Sequence, residues 1–151
     1  MLQAILDRID ANAEAIMSGD FASLNAAPFA GFSTHKSPDG STVITVELPE
    51  AARAALPASH RRVDLFLLDA NCRLGRHYHR HASAHIHIMR GRAVAEVDGA
   101  ETSVSPGDKT FFPANSVHDV RAGDTAVLFA SFQDHPITQS DGSVDYFAAP
   151  N

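Results

Sequence analysis

The chain has 151 residues, which suits a single domain with one sizeable core. A hydrophobic content of 44% and a charged content of 20% are ordinary for a globular protein. The formal net charge of −6, with Arg61-Arg62 the only adjacent arginine pair, argues against general binding to nucleic acid or to a membrane surface.

Cys72 is the only cysteine, so an internal disulfide and finger-type thiolate zinc sites are excluded, and it reads as a small buried apolar residue. The N-terminus lacks a basic start followed by an apolar core, and no apolar run reaches the ~18 residues of a membrane helix. A cytoplasmic protein without membrane contact is the expectation.

Leu2, Ile5, Leu6, Ile9, Ala13, Ile16 and Met17 recur at three- and four-residue steps and predict one amphipathic helix over 2–18, stopped at Gly19. A short turn or helix follows Asp20 and ends before Pro28. Strand character begins at Thr42, and Thr42–Leu48 is rich in β-branched residues and closed by Pro49. The alanine-rich stretch from Pro49 to Pro57 fits either one helical turn or a crossing loop. Val63–Asp69 reads as a buried strand, and Ala84–Arg90 and Ala93–Asp98 as two more joined tightly through Gly91.

Asp98-Gly99 is a hairpin turn signal leading to a return strand over Glu101–Val104. Pro106-Gly107-Asp108 turns into Lys109–Phe112, and Val117–Arg121 runs through Gly123-Asp124 into Thr125–Phe132. Short strands with turns at this spacing predict an all-β sandwich or barrel. The expected organisation is a single domain over 1–151, with a helical and irregular extension over 1–40, a barrel over 41–135 and a tail over 136–151. Phe66, Phe111, Phe112, Phe129 and Phe132 are assigned to its core.

The chemistry concentrates in histidine. His77, His79, His81, His85 and His87 fall within eleven residues, and His118 follows in a Pro-x-x-x-x-His turn. Neutral imidazole is the commonest protein ligand for first-row transition metals, and a His-x-His pair on a strand presents both rings to one face. His35, His60, His87 and His135 are expected to be ordinary hydrogen-bonded residues. Ser83 and Ser116 lie near histidines, but no nucleophile elbow surrounds them, and no phosphate-cradling glycine loop is present.

Residues 63–132 resemble the cupin superfamily. Gly107, five residues, Pro113, one residue, Asn115, two residues and His118 match its second motif, with Asn115 in place of the inner glycine. Asn tolerates positive φ better than other non-glycine residues. The final Asn of that motif is replaced by Ala122. The first motif keeps His-x-His and the closing Gly91, but counting seven residues back from Gly91 places Ala84 where the family has a glutamate.

The resemblance implies a cupin jelly-roll β-barrel with an N-terminal α-helical segment, holding a divalent transition metal (Fe, Zn, Ni or Mn). Its register is open. The gapless version uses His77, His79 and His118, and a one-residue slip adds His85 as a fourth ligand. A third version takes His79 and His81 with His85, and His79 and His118 belong to every version. The working site is His77, His79, His85 and His118, with the first, second and last as its minimum. In the gapless register Ala84, Ile86 and Ile88 share one face, so His85 and His87 point the other way.

The resemblance further implies a small metal-dependent enzyme acting on a small polar organic molecule, with oxygenase chemistry slightly ahead of lyase or isomerase chemistry. Iron held by three histidines would suit bidentate anionic substrates. The alternatives are a non-catalytic ligand-binding or sensor cupin, and a structural dimerisation module with a degenerate site. A homodimer is expected, with Thr42–Leu48 as a candidate for strand exchange.

Overall fold

The structure, a computed structural model, describes residues 1–37, 40–138 and 141–150. Three short helices, α1 (Leu2–Ala11), α2 (Ala13–Met17) and α3 (Glu50–Ala54), accompany eleven strands among these residues. The strands are β1 (Phe32–Lys36), β2 (Ser41–Val46), β3 (Arg62–Leu68), β4 (His77–Tyr78), β5 (Ala84–Arg90), β6 (Ala93–Val97), β7 (Ala100–Val104), β8 (Lys109–Phe112), β9 (His118–Ala122), β10 (Val127–Gln133) and β11 (Phe147–Ala148). They form a six-stranded sheet in the order β1-β2-β3-β10-β5-β8 and a five-stranded sheet in the order β11-β4-β9-β6-β7. Every pairing between them is antiparallel. This is the all-β jelly-roll barrel expected, with its helical segment at the N-terminus.

The pleat sorts the six-stranded sheet into two faces. Leu68, Ile86, Ile88, Val127 and Phe129 turn inward and meet Ala93, Ala95, Val104 and Val120 of the other sheet, filling the barrel. On the outer face, Ile44, Val63, Leu65, Leu128 and Phe132 pack against Ile5, Ile9, Ala13 and Ile16 of the helices. Fully burying each such isoleucine contributes about 1.5–3 kcal/mol. The helical stripe is therefore covered by the barrel of its own chain.

The single expected N-terminal helix is broken at Asn12. Its side-chain Nδ2 donates to the Arg8 carbonyl at 2.8 Å, and its backbone N–H bonds Ile9 instead, at 3.2 Å. A polar side chain has taken the carbonyl that the helix ladder needed. α3 resolves the open reading of the alanine-rich stretch in favour of a helical turn.

Three strands escaped the sequence. β1 is a largely exposed edge strand of polar composition, without apolar alternation, and it draws its conformation from pairing with β2. β4 and β11 are two residues each and pair with one another. β2 has β1 on one side and β3 on the other, so both of its edges are taken within the chain. Phe111 is 44% exposed rather than part of the core, and Cys72 is only partly buried. Asp98 and Gly99 both have positive φ, of 49° and 86°, in the tight β6–β7 hairpin. No helix of the described residues is long and apolar enough to cross a membrane.

Within the C-terminal tail, the described residues 136–138 and 141–148 form a strap. Asp145 N–H donates to the Ile137 carbonyl at 2.7 Å, Thr138 bridges Val144, and β11 lies along β4. The strap thereby runs beside the histidine-rich segment.

Candidate metal centre

β4 and β9 place His77 directly opposite His118, and direct cross-strand partners share a face. His79, two residues beyond His77, points the same way by the period of an extended chain. The three residues are 6%, 9% and 3% exposed for His77, His79 and His118. Their available ligand atoms all lie within 4.8 Å of one another. Ring centroids are 4.3 Å apart for His77–His118, 5.0 Å for His77–His79 and 5.2 Å for His79–His118.

Each Nδ1 faces a backbone carbonyl. His77 reaches the Gly75 oxygen at 2.7 Å, His118 reaches the Ser116 oxygen at 3.1 Å, and His79 reaches the Asp145 oxygen. A carbonyl only accepts, so each Nδ1 carries the proton and donates. Each Nε2 is then the unprotonated nitrogen, with its lone pair available to a metal. Burial holds the His77 ring well below its ordinary value of 6.5, at about 4, although the Gly75 carbonyl pulls upward. Burial likewise pushes His118 down to about 3, helped by the neighbouring His77 and His79 rings. Both are neutral at physiological pH, the form a metal requires.

The carbonyls are themselves held. The buried Asp119 carboxylate accepts the Gly75 N–H at 2.9 Å and the Arg73 Nε at 2.8 Å, anchoring the residue whose carbonyl orients His77. Asp145 serves His79 twice. Its carbonyl takes the Nδ1 proton, while its carboxylate accepts the N–H groups of Arg80, His81 and Ala82 at 2.6, 2.9 and 3.1 Å. Burial pushes the Asp145 carboxyl up, but those three N–H donors outweigh it and leave the pKa below the usual carboxylate value. Phe112 stacks on His118 at 4.4 Å, and the half-exposed Tyr146 stacks on His77 at 4.6 Å.

His85 does not join this group. It sits on the outer face of β5, stacked on His60 and against Phe111 with both centroid distances at 4.6 Å. The pleat sends Ala84 and Ile86 into the barrel and His85 and His87 out of it. His81 lies on an exposed loop and is engaged through its backbone. The structure thus brings together His77, His79 and His118, and separates them from His81 and His85.

The inner wall facing this end of the barrel is polar on one side. Cross-strand register sets Arg62, Gln133, Ala84 and Phe112 in one row. Thr45, Asp64, Ser131 and Ile86 form the next. Gln133 Nε2 donates to Asp64 Oδ2 at 3.1 Å and to Ser131 Oγ at 2.8 Å. Burial raises the Asp64 carboxyl above its ordinary range, against hydrogen bonds from Thr45 and Gln133.

A cleft of ≈140 Å³ opens beside these rows, lined by Thr45, Arg61, Arg62, Asp64, Gln133 and Ile137 among others. None of the three histidines lines it. Asp64 belongs to both regions, since it borders the cleft and lies within electrostatic reach of His79. Asp64, Ser131, Gln133, Asp145 and Tyr146 were not singled out from the sequence. Only the interruption of the apolar β3 and β10 runs by Asp64, Ser131 and Gln133 could have flagged the first three.

A two-sheet barrel with a buried histidine triad at one end fits the expected class, and the comparisons agree. Residues 65–132 match a Cupin domain family model. The motif positions behave accordingly: Asn115, in place of the inner glycine, has a φ of 68°. The Rru_A2000 cupin-2 domain of Rhodospirillum rubrum is similar at 19% identity and a TM-score of 0.58, over 74% of this chain and 72% of its own. KdgF from a Halomonas species is similar at 16% identity and a TM-score of 0.54, over 72% and 89%. A predicted oxalate decarboxylase of Thermotoga maritima is similar at 18% identity and a TM-score of 0.53, over 68% and 90%. At these identities the likeness is one of fold. No curated protein matches the chain.

Proposed function

We propose that this protein is a metal-dependent cupin enzyme that acts on a small polar organic molecule at His77, His79 and His118. One observation carries the reading: three buried imidazoles each spend their Nδ1 proton on a backbone carbonyl, which leaves three converging Nε2 lone pairs. Bound by three neutral ligands, a divalent first-row metal keeps its full charge and open positions, and supplies Lewis-acid chemistry or, as iron, redox chemistry.

The chain's own residues do the rest. Asp119 supports the His77 orientation by anchoring Gly75, and Asp145 holds His79 through its own carbonyl. Phe112 and Tyr146 shield the rings from bulk water on two sides. Oxygenase chemistry remains slightly ahead of lyase or isomerase chemistry. A second reading, a non-catalytic metal-binding cupin, is favoured by the closeness of Tyr146 and the strap to the triad.

Metal analysis of protein purified without tag or chelator tests this. Stoichiometric metal is expected in the parent and in His85→Ala, and none in His79→Ala/His118→Ala. Metal-free parent after reconstitution with iron, zinc, nickel and manganese in turn would overturn the reading. Bound metal without turnover across oxygenase, lyase and isomerase assays would favour the non-catalytic alternative.

A further inference from the structure

Barrel interiors are normally apolar, and a buried amide or carboxylate left without a partner is destabilising. Here the polar residues are confined to one side of the inner wall. Arg62, Asp64 and Gln133 occupy β3 and β10, while Ala84, Ile86 and Phe112 occupy β5 and β8. Ala84 stands beside Gln133 with only a methyl group, at the position where the family pattern has a carboxylate. The carboxylate on this wall therefore comes from another strand, as Asp64.

The donors and acceptors of this array can be counted. Both hydrogens of the Gln133 amide are committed, to Asp64 and to Ser131. Asp64 also accepts from Thr45, so what the wall offers a ligand is the Gln133 carbonyl oxygen, the remaining Asp64 lone pairs, the Ser131 hydroxyl proton and the Arg62 guanidinium at the rim. Two acceptors thus stand next to one fixed cation. The cleft of ≈140 Å³ is well below the ~300–1,000 Å³ of pockets for drug-sized ligands, so it suits a molecule of a few carbons.

We propose that Arg62, Asp64 and Gln133 form the substrate-recognition wall of the metal centre, and that they select a small hydroxycarboxylate. This rests on the metal-centre reading above. The ligand carboxylate pairs with Arg62, and its hydroxyl donates to Asp64 and the Gln133 oxygen. Charge-assisted bonds to a guanidinium and to a carboxylate are the strong ones, and a site built for a hydroxyl rejects analogues that lack it. A ligand without the hydroxyl leaves Asp64 and Gln133 short of one partner inside the wall, and a ligand without the carboxylate forgoes the charge pair with the exposed Arg62.

Glycerate is the probe, with propionate lacking the hydroxyls and glycerol lacking the carboxylate. Each is titrated into the cobalt(II)-loaded protein, followed by its visible spectrum and by calorimetry, for the parent, Arg62→Gln, Asp64→Asn and Gln133→Met. Glycerate is expected to bind at least about tenfold more tightly than either control. Arg62→Gln abolishes the preference over glycerol, and Asp64→Asn or Gln133→Met abolishes the preference over propionate, with cobalt stoichiometry unchanged throughout. Equal binding of the three probes by the parent, or preferences unchanged in the folded variants, overturns the proposal.

Failure of the parent to take up cobalt refutes the metal reading separately. Glycerate is then titrated into metal-free protein and followed by amide chemical shifts. Shifts at Ser131 and Gln133 that vanish in Asp64→Asn support the wall as a recognition site, and their absence overturns it.

Discussion

The neutral state of the triad makes a quantitative demand on stability. His77 and His118 have folded pKa values of about 4 and about 3, both depressed by burial from 6.5. Between those values and 6.5 the unfolded chain binds protons that the folded chain does not, so stability rises with pH across this window. It is fully present above the unfolded value, falls as the pH drops below it, and stops falling once the folded values are passed. At about pH 5 each ring costs ~2 kcal/mol relative to neutral pH, ~4 kcal/mol together. That is a large part of the 5–15 kcal/mol typical of a domain.

Urea unfolding of metal-free parent and of His77→Gln/His118→Gln, at about pH 7.5 and about pH 5, measures this difference. The parent should lose ~4 kcal/mol more than the variant on acidification. His87, also lowered to about 4 by burial, titrates in both proteins and cancels. A parent and variant whose losses agree within about 1 kcal/mol would refute the claim that the two rings are buried and neutral.

Four further outcomes follow from the packing. Asp145→Ala frees three backbone N–H groups and loosens the carbonyl that orients His79, so zinc affinity in a chelator competition should fall about 10–100-fold. Gly91→Ala would place a Cβ 2.1 Å from the Ala126 carbonyl oxygen at a φ of +78°, and its unfolding free energy should drop by at least ~2 kcal/mol. Ile9→Ala, at a fully buried position of the outer layer, should cost about 2–5 kcal/mol by urea unfolding. By contrast, Arg90→Met, which breaks exposed pairs with Asp10 and Glu14, should cost less than about 1 kcal/mol in the same assay.

Turn signals at regular spacing made β5 through β10 readable, even though β7 is largely exposed and β10 is buried along its whole length. Ala84–Arg90 and Lys109–Phe112 have the expected bounds. β1 was invisible because an exposed edge strand needs no apolar alternation, and the break at Asn12 because a single side-chain bond decides it. For the site, spacing pointed to His77, His79 and His118, since His-x-His and the second motif are local signals. It could not separate His85 from them while the register was open, and the side of the pleat on which each residue falls now does so. Asp145 lies 66 residues from its partner His79, and no local pattern connects them.

The charges around the triad bear on what it can attract. Asp119 is engaged by Arg73 and the Gly75 N–H, and Asp145 by three backbone N–H groups, so neither carboxylate is directed at the three Nε2 atoms. Both act through peptide groups, fixing geometry without contributing negative charge to the ligand set. A divalent ion held by three neutral imidazoles therefore retains its charge, and an anionic ligand gains by neutralising it. Asp64 stands across the wall, but its interactions with Gln133 and Arg62 temper its negative charge there. The replacement of the motif glutamate by Ala84 thus has a physical consequence. It shifts the centre towards ligands that bring their own negative charge, and Arg62 at the rim reinforces that preference.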